Sequence, residues 1–321
     1  MQQNRTLRGV LFLCLGVLLF SIQDAIVKKV SGSYALTEVV TIRCIVSFPI
    51  LLALVGWETG FKALRSKNLG VLLIRSVIML AAYTTYYMAF PALKLADAVA
   101  LFFTVPLFTL ALAAPILGEK IGWRRITAVT VGFIGVLVML RPGAGVFEPA
   151  ALLSLFSAAT YALAMLMARK LGDDESASVM AFYQNLIYLV GAALMGVFLW
   201  LTGIHGAAHP SINFLVRPWV QPNTTDLLLI GSCGIFAALG LVVLTQAYRI
   251  AKASVVTSFE YTGLLWAPLW GYVIFGEIPY VTTFYGALLI LAAGLFAIAS
   301  PAAREAAAPS ETGETAPSEA S

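Results

Sequence analysis

Residues 87–120, YMAFPALKLADAVALFFTVPLFTLALAAPILGEK, align without a gap on residues 245–278, TQAYRIAKASVVTSFEYTGLLWAPLWGYVIFGEI, at a constant offset of 158. Ala89 falls on Ala247, Lys94 on Lys252, Thr104 on Thr262, Ile116 on Ile274, and Gly118-Glu119 on Gly276-Glu277. Both stretches are apolar and long enough to cross a bilayer. A duplicated membrane segment is the usual origin of a carrier built from two halves around a central site.

Composition agrees with lipid as the solvent. Apolar residues make up 60% of the 321 residues and charged residues 11%, against about 45–50% and about 25% in soluble domains. A spanning helix needs roughly 20 mostly apolar residues. Ten stretches qualify, near 9–28, 36–56, 70–90, 95–117, 122–140, 148–168, 178–201, 226–248, 253–275 and 281–300. The alternation expected of barrel strands is absent. The first stretch follows Arg5 and Arg8 like a secretion signal, but it carries Asp24, ends at Lys28-Lys29 and has no small-residue cleavage site, so it reads as span 1.

The repeat extends to the earlier spans at an offset of 141, where Lys28-Lys29 meet Arg169-Lys170 and Arg43 meets Gln184. The change from 141 to 158 marks an insertion of 17 residues between spans 7 and 8, in the polar loop at about 203–224. The expected fold is therefore an all-α membrane protein of ten transmembrane helices in two inverted five-helix repeats. They divide as residues 1–145 and 146–300, with a disordered acidic tail at 301–321.

Basic residues set the orientation, because Lys and Arg are retained on the cytoplasmic side. With the amino terminus inside, the inner segments hold thirteen of them, among them Lys62, Arg65, Lys67, Lys120, Arg124, Arg125, Arg169 and Lys170. The outer segments hold Lys28, Lys29, Lys94, Arg141 and Arg217. Both termini are then cytoplasmic, and the net charge of +4 is a topology feature that calls for no nucleic acid. The three cysteines fall inside spans and offer neither a disulfide framework nor metal spacing.

With these residues on the page, the chain resembles the drug/metabolite transporter superfamily in its EamA-like branch. The two five-span halves, the Gly118-Glu119 and Gly276-Glu277 pairs, and Arg141-Pro142 closing span 5 carry the likeness across about residues 9–300. The resemblance implies spans 1–4 and 6–9 around a central cavity, with 5 and 10 outside, and small polar metabolites as cargo. Ser21-Ile22-Gln23-Asp24 and Arg43 are further similar to the branch containing S-adenosylmethionine uptake carriers. No GxxxxGK[ST] loop is present, so ATP is not expected to drive the cycle directly, and no cofactor is called for.

Charges inside spans cost about 2.5–3.5 kcal/mol on insertion scales, so they should face a wet cavity or a partner. Arg43 in span 2 and Glu260 in span 9 are the leading substrate-binding candidates. Glu260 has three open roles: a cation site, a proton carrier, or the counter-ion of Arg43. Asp24 either joins the site or pairs with Lys28 one turn on. Gln23, Tyr83, Tyr87, Tyr183, Gln184, Tyr261 and Trp266 supply rings and amides suited to a planar ligand. Arg75 and Asp97, nearer helix ends, read as solvated or headgroup residues. Trp57, Trp200 and Trp219 read as interface anchors. His205 and His209 are spaced like a metal pair, without a third ligand nearby. An integral-membrane enzyme is the competing class, but no Ser/His/Asp set stands in the sequence. The expected partners are a small-molecule substrate and the bilayer of a cytoplasmic (inner) membrane.

Overall fold

The computed structural model describes residues 2–117, 123–140, 148–171, 175–250 and 257–298. Its helices are α1 (Gln2–Val30), α2 (Leu36–Glu58), α3 (Leu69–Ala89), α4 (Leu95–Phe102), α5 (Val105–Leu117), α6 (Trp123–Leu140), α7 (Ala150–Leu171), α8 (Ala177–Thr202), α9 (Pro210–Val216), α10 (Thr224–Ile250), α11 (Gly263–Phe275) and α12 (Val281–Ile298). Short 3-10 turns cover Phe61–Leu64 and Thr257–Thr262. Among the described residues there is no strand. The described residues form an all-helical fold, consistent with a membrane protein.

Among the described residues, six helices are long and apolar enough to cross a bilayer: Leu7–Val30, Leu36–Glu58, Leu69–Ala89, Ala150–Ala168, Ala177–Thr202 and Thr224–Leu244. The other expected spans appear as shorter pieces. The span expected at 95–117 is two helices that meet at Phe103-Thr104. The break has a local cause. Pro106 cannot donate to the carbonyl one turn back, and it sits in the first turn of α5, where that donor is not needed. The span expected at 253–275 begins, over its described part, as the 3-10 turn and becomes α-helical only from Gly263.

Exposed apolar stripes such as Leu194, Phe198 and Leu201 on α8 face outward, as a lipid-facing surface requires. Inside, α1 packs on α10 and α3 on α7, while α2 packs on both α8 and α10 and α8 on α3. When the helices are paired by the expected repeat, each of these contacts has a counterpart with the partners exchanged. At the centre, Asn185 of α8 donates to the Cys44 carbonyl at 3.1 Å and accepts from Ser47 at 2.7 Å, tying α8 to α2. A Cβ at Gly234 would stand 2.4 Å from the Arg43 carbonyl, so only glycine lets α10 press on α2 there. The peripheral pair α6 and α12 crosses on Gly135 and Gly286, whose added Cβ atoms would each meet the other's carbonyl oxygen at 2.8 and 2.6 Å.

The insertion, expected as a polar loop, is an ordered cap. It contains α9, whose Phe214 is fully buried. His209 caps that helix, accepting from the Ser211 N–H at 3.2 Å, and its Nε2 lies 2.9 Å from Glu148. Arg217 donates to the Ser31 carbonyl, Trp219 to Thr37 at 2.8 Å, and the Val220 N–H to Glu38 at 3.2 Å. These bonds fasten the cap over the start of α2. Trp219, read as an interface anchor, is thus partly spent on that cap, whereas Trp57 and Trp200 stand well exposed. Among the described residues no cluster of metal-binding side chains forms. Glu119, Arg141-Pro142 and the tail lie outside the described residues.

Candidate functional site

A cavity of about 420 Å³ lies within the bundle, walled by α1–α5, α7, α8, α10, α11 and the turn at Thr257–Thr262. Seven of the sequence-derived candidates line it: Gln23, Asp24, Arg43, Tyr83, Tyr87, Gln184 and Glu260. Helical spacing explains the grouping on α1, where Val17, Phe20, Ser21 and Asp24 share one face. The other three do not line it. Tyr183 donates to the Leu64 carbonyl at 2.5 Å, which draws its ring toward the α2–α3 turn. Tyr261 packs on Phe103 at 5.7 Å with its hydroxyl against Gly294. Trp266 stacks on Trp270 at 6.3 Å, and Trp270 in turn donates to Ser21 at 3.1 Å.

Arg43 is 6% exposed, and its guanidinium sits over the rings of Tyr83 and Tyr188 at 5.7 and 6.0 Å. Its Nη1 donates to the Tyr87 hydroxyl at 3.4 Å, and its Nε has no hydrogen-bond partner. Among the described residues it makes no ion pair, so the counter-ion pairing with Glu260 is not formed. Tyr87 also accepts from Gln23 at 2.5 Å. Asp24 accepts from Tyr86 at 3.0 Å. The alternative pairing of Asp24 with Lys28 is likewise not formed, because Lys28 is engaged elsewhere. Its Nζ lies 2.7 Å from Glu277 and donates to the Leu93 carbonyl at 2.5 Å. One acid and one guanidinium therefore project into a shared, aromatic-walled space, joined only through tyrosine hydroxyls. Buried charges without direct partners are costly in lipid and point to a ligand.

The EamA-like transporter profile matches residues 7–141 and again 148–299, which together span most of the chain. This chain belongs to the EamA-like transporter family. An S-adenosylmethionine uptake transporter of Rickettsia prowazekii is 28% identical over 92% of this chain and 93% of its own length. A riboflavin transporter of Vibrio cholerae is 28% identical over 90% of this chain and 92% of its own. A pseudopaline exporter of Pseudomonas aeruginosa is 28% identical over 89% and 94%. A solved crystal structure shares the fold at TM-score 0.59 and 18% identity, covering 93% of this chain and 98% of that one.

In this EamA-like transporter the Gly276-Glu277 pair has a definite structural task. Gly276 adopts φ 64° and ends α11, its N–H bonding to the Tyr272 carbonyl at 3.0 Å while that of Glu277 reaches Gly271 at 2.9 Å. Such a left-handed cap favours glycine. The turn aims Glu277 back at the bundle. One of its oxygens binds Lys28, and the other accepts the Leu95 N–H at 2.8 Å at the start of α4. There it meets both a charge and a helix N-terminus. Lys94 adds a bond to the Ile278 carbonyl at 2.7 Å, and Asp97 accepts from Thr283. Asp97 is thus engaged with α12 rather than left to solvent. These bonds form a clasp joining α1, α4 and α11.

Sequence reasoning missed Arg75, Tyr161, Tyr188 and Ser47 as lining residues. Arg75, expected near a headgroup, is 5% exposed and donates to Gln184 at 3.4 Å. Its position six residues into α3 puts it about 9 Å inside the helix, at about 1.5 Å per residue. The pattern was available: residues 75, 79, 83, 86 and 87 follow helical spacing, so one face of α3 carries all five into the cavity.

Proposed function

We propose that this transporter is a secondary carrier of a small zwitterionic metabolite with a planar ring, with S-adenosylmethionine the leading substrate. The observation that carries the reading is the pairing of Asp24 and Arg43 in one buried cavity without an ion pair between them. An ammonium or sulfonium centre suits Asp24, a carboxylate suits Arg43, and a flat heterocycle suits the cluster of tilted rings of Tyr83, Tyr86, Tyr87 and Tyr188. Similarity along most of the chain to a carrier named for S-adenosylmethionine uptake supports the same choice.

The protein works as two inverted five-helix repeats, residues 1–145 and 146–300, rocking around the cavity in a cytoplasmic membrane with both termini inside. The exchange of roles in the helix contacts supports this, as does the double match of the family profile. In that orientation the Lys28–Glu277 clasp is the outer closure, and opening outward requires its three segments to part. Glu260, at the opposite broken helix, is the candidate proton carrier. A riboflavin-type cargo is the second reading, favoured by the four clustered tyrosines but making less use of Asp24.

Counterflow in sealed vesicles tests the reading. Preloaded S-adenosylmethionine should accelerate entry of the labelled compound. Arg43→Gln, Asp24→Asn and Glu260→Gln should each remove that entry at unchanged membrane abundance. Absence of counterflow with S-adenosylmethionine, amino acids, nucleosides, polyamines and riboflavin alike would remove the carrier assignment.

A further inference from the structure

Arg75 is a second buried guanidinium in the cavity wall, and nothing in the reading above uses it. Its Nε has no hydrogen-bond partner, its Nη1 reaches only the Gln184 amide oxygen at 3.4 Å, and among the described residues it makes no ion pair. Tyr83, Tyr161 and Tyr188 line the same cavity. A guanidinium this deep would ordinarily be neutralised by a carboxylate. Glu260 lines the same cavity but does not supply one.

The layer formed by Tyr188 separates it from Arg43. The Arg43 guanidinium sits over the Tyr188 ring at 6.0 Å. The hydroxyl of that ring donates to the Met79 carbonyl at 2.9 Å and accepts from the Gln184 amide nitrogen at 3.3 Å. That bond turns the amide oxygen toward Arg75 and leaves the rest of the guanidinium fork facing the cavity.

We propose that Arg75, oriented by Gln184, is a second carboxylate-binding subsite, to which the acidic group of the substrate passes from Arg43 as it moves beyond the Tyr188 layer. The proposal rests on the cavity being the substrate path. Two guanidinium sites, one over the Tyr188 ring and one reached from its hydroxyl through Gln184, let the acidic group leave one cation for another without being stranded in lipid. Lysine would not replace Arg75 fully, since the free fork is what offers a carboxylate two parallel bonds.

The test uses the full-length protein in proteoliposomes, with S-adenosylmethionine and its α-decarboxylated analogue as paired probes. Arg75→Gln should reduce S-adenosylmethionine uptake about tenfold or more, as expected for loss of a charged hydrogen bond, and leave the decarboxylated analogue nearly unchanged. Arg75→Lys should fall between. Equal loss for both compounds, or no loss for either, overturns the subsite. A second readout does not need the substrate: Arg75→Met should raise the Tm of the purified protein, because it removes an uncompensated buried charge. A lower Tm overturns the proposal. If wild-type vesicles carry neither probe, the substrate assignment fails separately, and the Tm comparison alone decides the fate of Arg75.

Discussion

Thr104 and Thr262 stand 158 residues apart, and their hydroxyls make the same bond, to the carbonyl three residues back. Thr104 donates to the Leu101 carbonyl at 2.7 Å where α4 gives way to α5. Thr262 donates to the Phe259 carbonyl at 2.7 Å where the 3-10 turn gives way to α11. The two breaks also touch, through Phe103 and Tyr261, and these residues too are 158 apart. The cavity wall behaves differently. At the same offsets Asp24 faces Met165, Arg43 faces Gln184, Arg75 faces Cys233, and Glu260 faces Phe102. The turn that breaks the helix is present twice, and each of the four charges in the cavity wall is present once. A wall built that way suits a cargo with unlike ends, because a symmetric site would offer both ends the same partner.

The strongest way to break this contrast is to remove the unpaired charges. Arg43→Gln and Asp24→Asn should each lower uptake about a hundredfold, the scale of losing a buried charged contact of about 3 kcal/mol. Changing the counterpart Met165 to Leu should cost little. Uptake and membrane abundance measured side by side check this; equal losses at Met165 and Asp24 would mean that packing, and not charge, is what the cavity needs.

The clasp comes next in size. Removing one member of a partly buried ion pair leaves the other uncompensated, and Lys28 holds Glu277 at 2.7 Å. Lys28→Met and Glu277→Gln should each favour the form open at that end. With the native cysteines replaced by serine, a cysteine placed at Val99, which lines the cavity, should then react about tenfold faster with an impermeant thiol reagent, the shift expected from about 1.4 kcal/mol. The double variant should react no faster than either single one. Additive acceleration would show that the two side chains act apart.

Much of this was readable in the chain beforehand, for physical reasons that differ by feature. The Gly276-Glu277 pair was legible as a recurring dipeptide because a left-handed cap tolerates few residues other than glycine. Asp24, Arg43 and Glu260 were legible because charge in an apolar run is costly wherever it points. Arg75 was misjudged since depth was counted from an assumed interface, and a helix start says little about where lipid begins. The breaks at Thr104 and Thr262 were hidden inside uniformly apolar runs, where hydropathy counts length but not continuity. The cap at 203–224 depends on long-range bonds such as Trp219 to Thr37, which no local pattern encodes. Tyr183 and Trp266 had suitable chemistry, but ring type alone does not say which side of a helix turns inward.

A smaller effect sharpens how Arg43 is held. Gly234→Ala would drive a Cβ to 2.4 Å from the Arg43 carbonyl, a backbone atom that cannot step aside, and it should cost about 1–3 kcal/mol of stability. Gly231→Ala, whose Cβ would meet only Val46 at 3.6 Å, is the matched control and should be nearly neutral. Thermal unfolding in detergent separates them. Similar Tm values for the two would mean that α10 does not press on α2 as tightly as this packing requires.

The smallest effect bears most directly on the duplication. Thr104→Val and Thr262→Val keep the side-chain shape and delete one bond to the carbonyl three residues back. Each should therefore change stability by no more than about 1 kcal/mol, because the bond competes with other local partners. What matters is that the two changes agree. If both breaks descend from one ancestral turn and still do the same work, the two Tm shifts should match, and the double variant should show their sum or less, since the breaks touch through Phe103 and Tyr261. A large shift at one threonine and none at the other would mean that only one of the two broken helices still depends on its turn, and that the halves have diverged in the backbone as well as in the cavity wall.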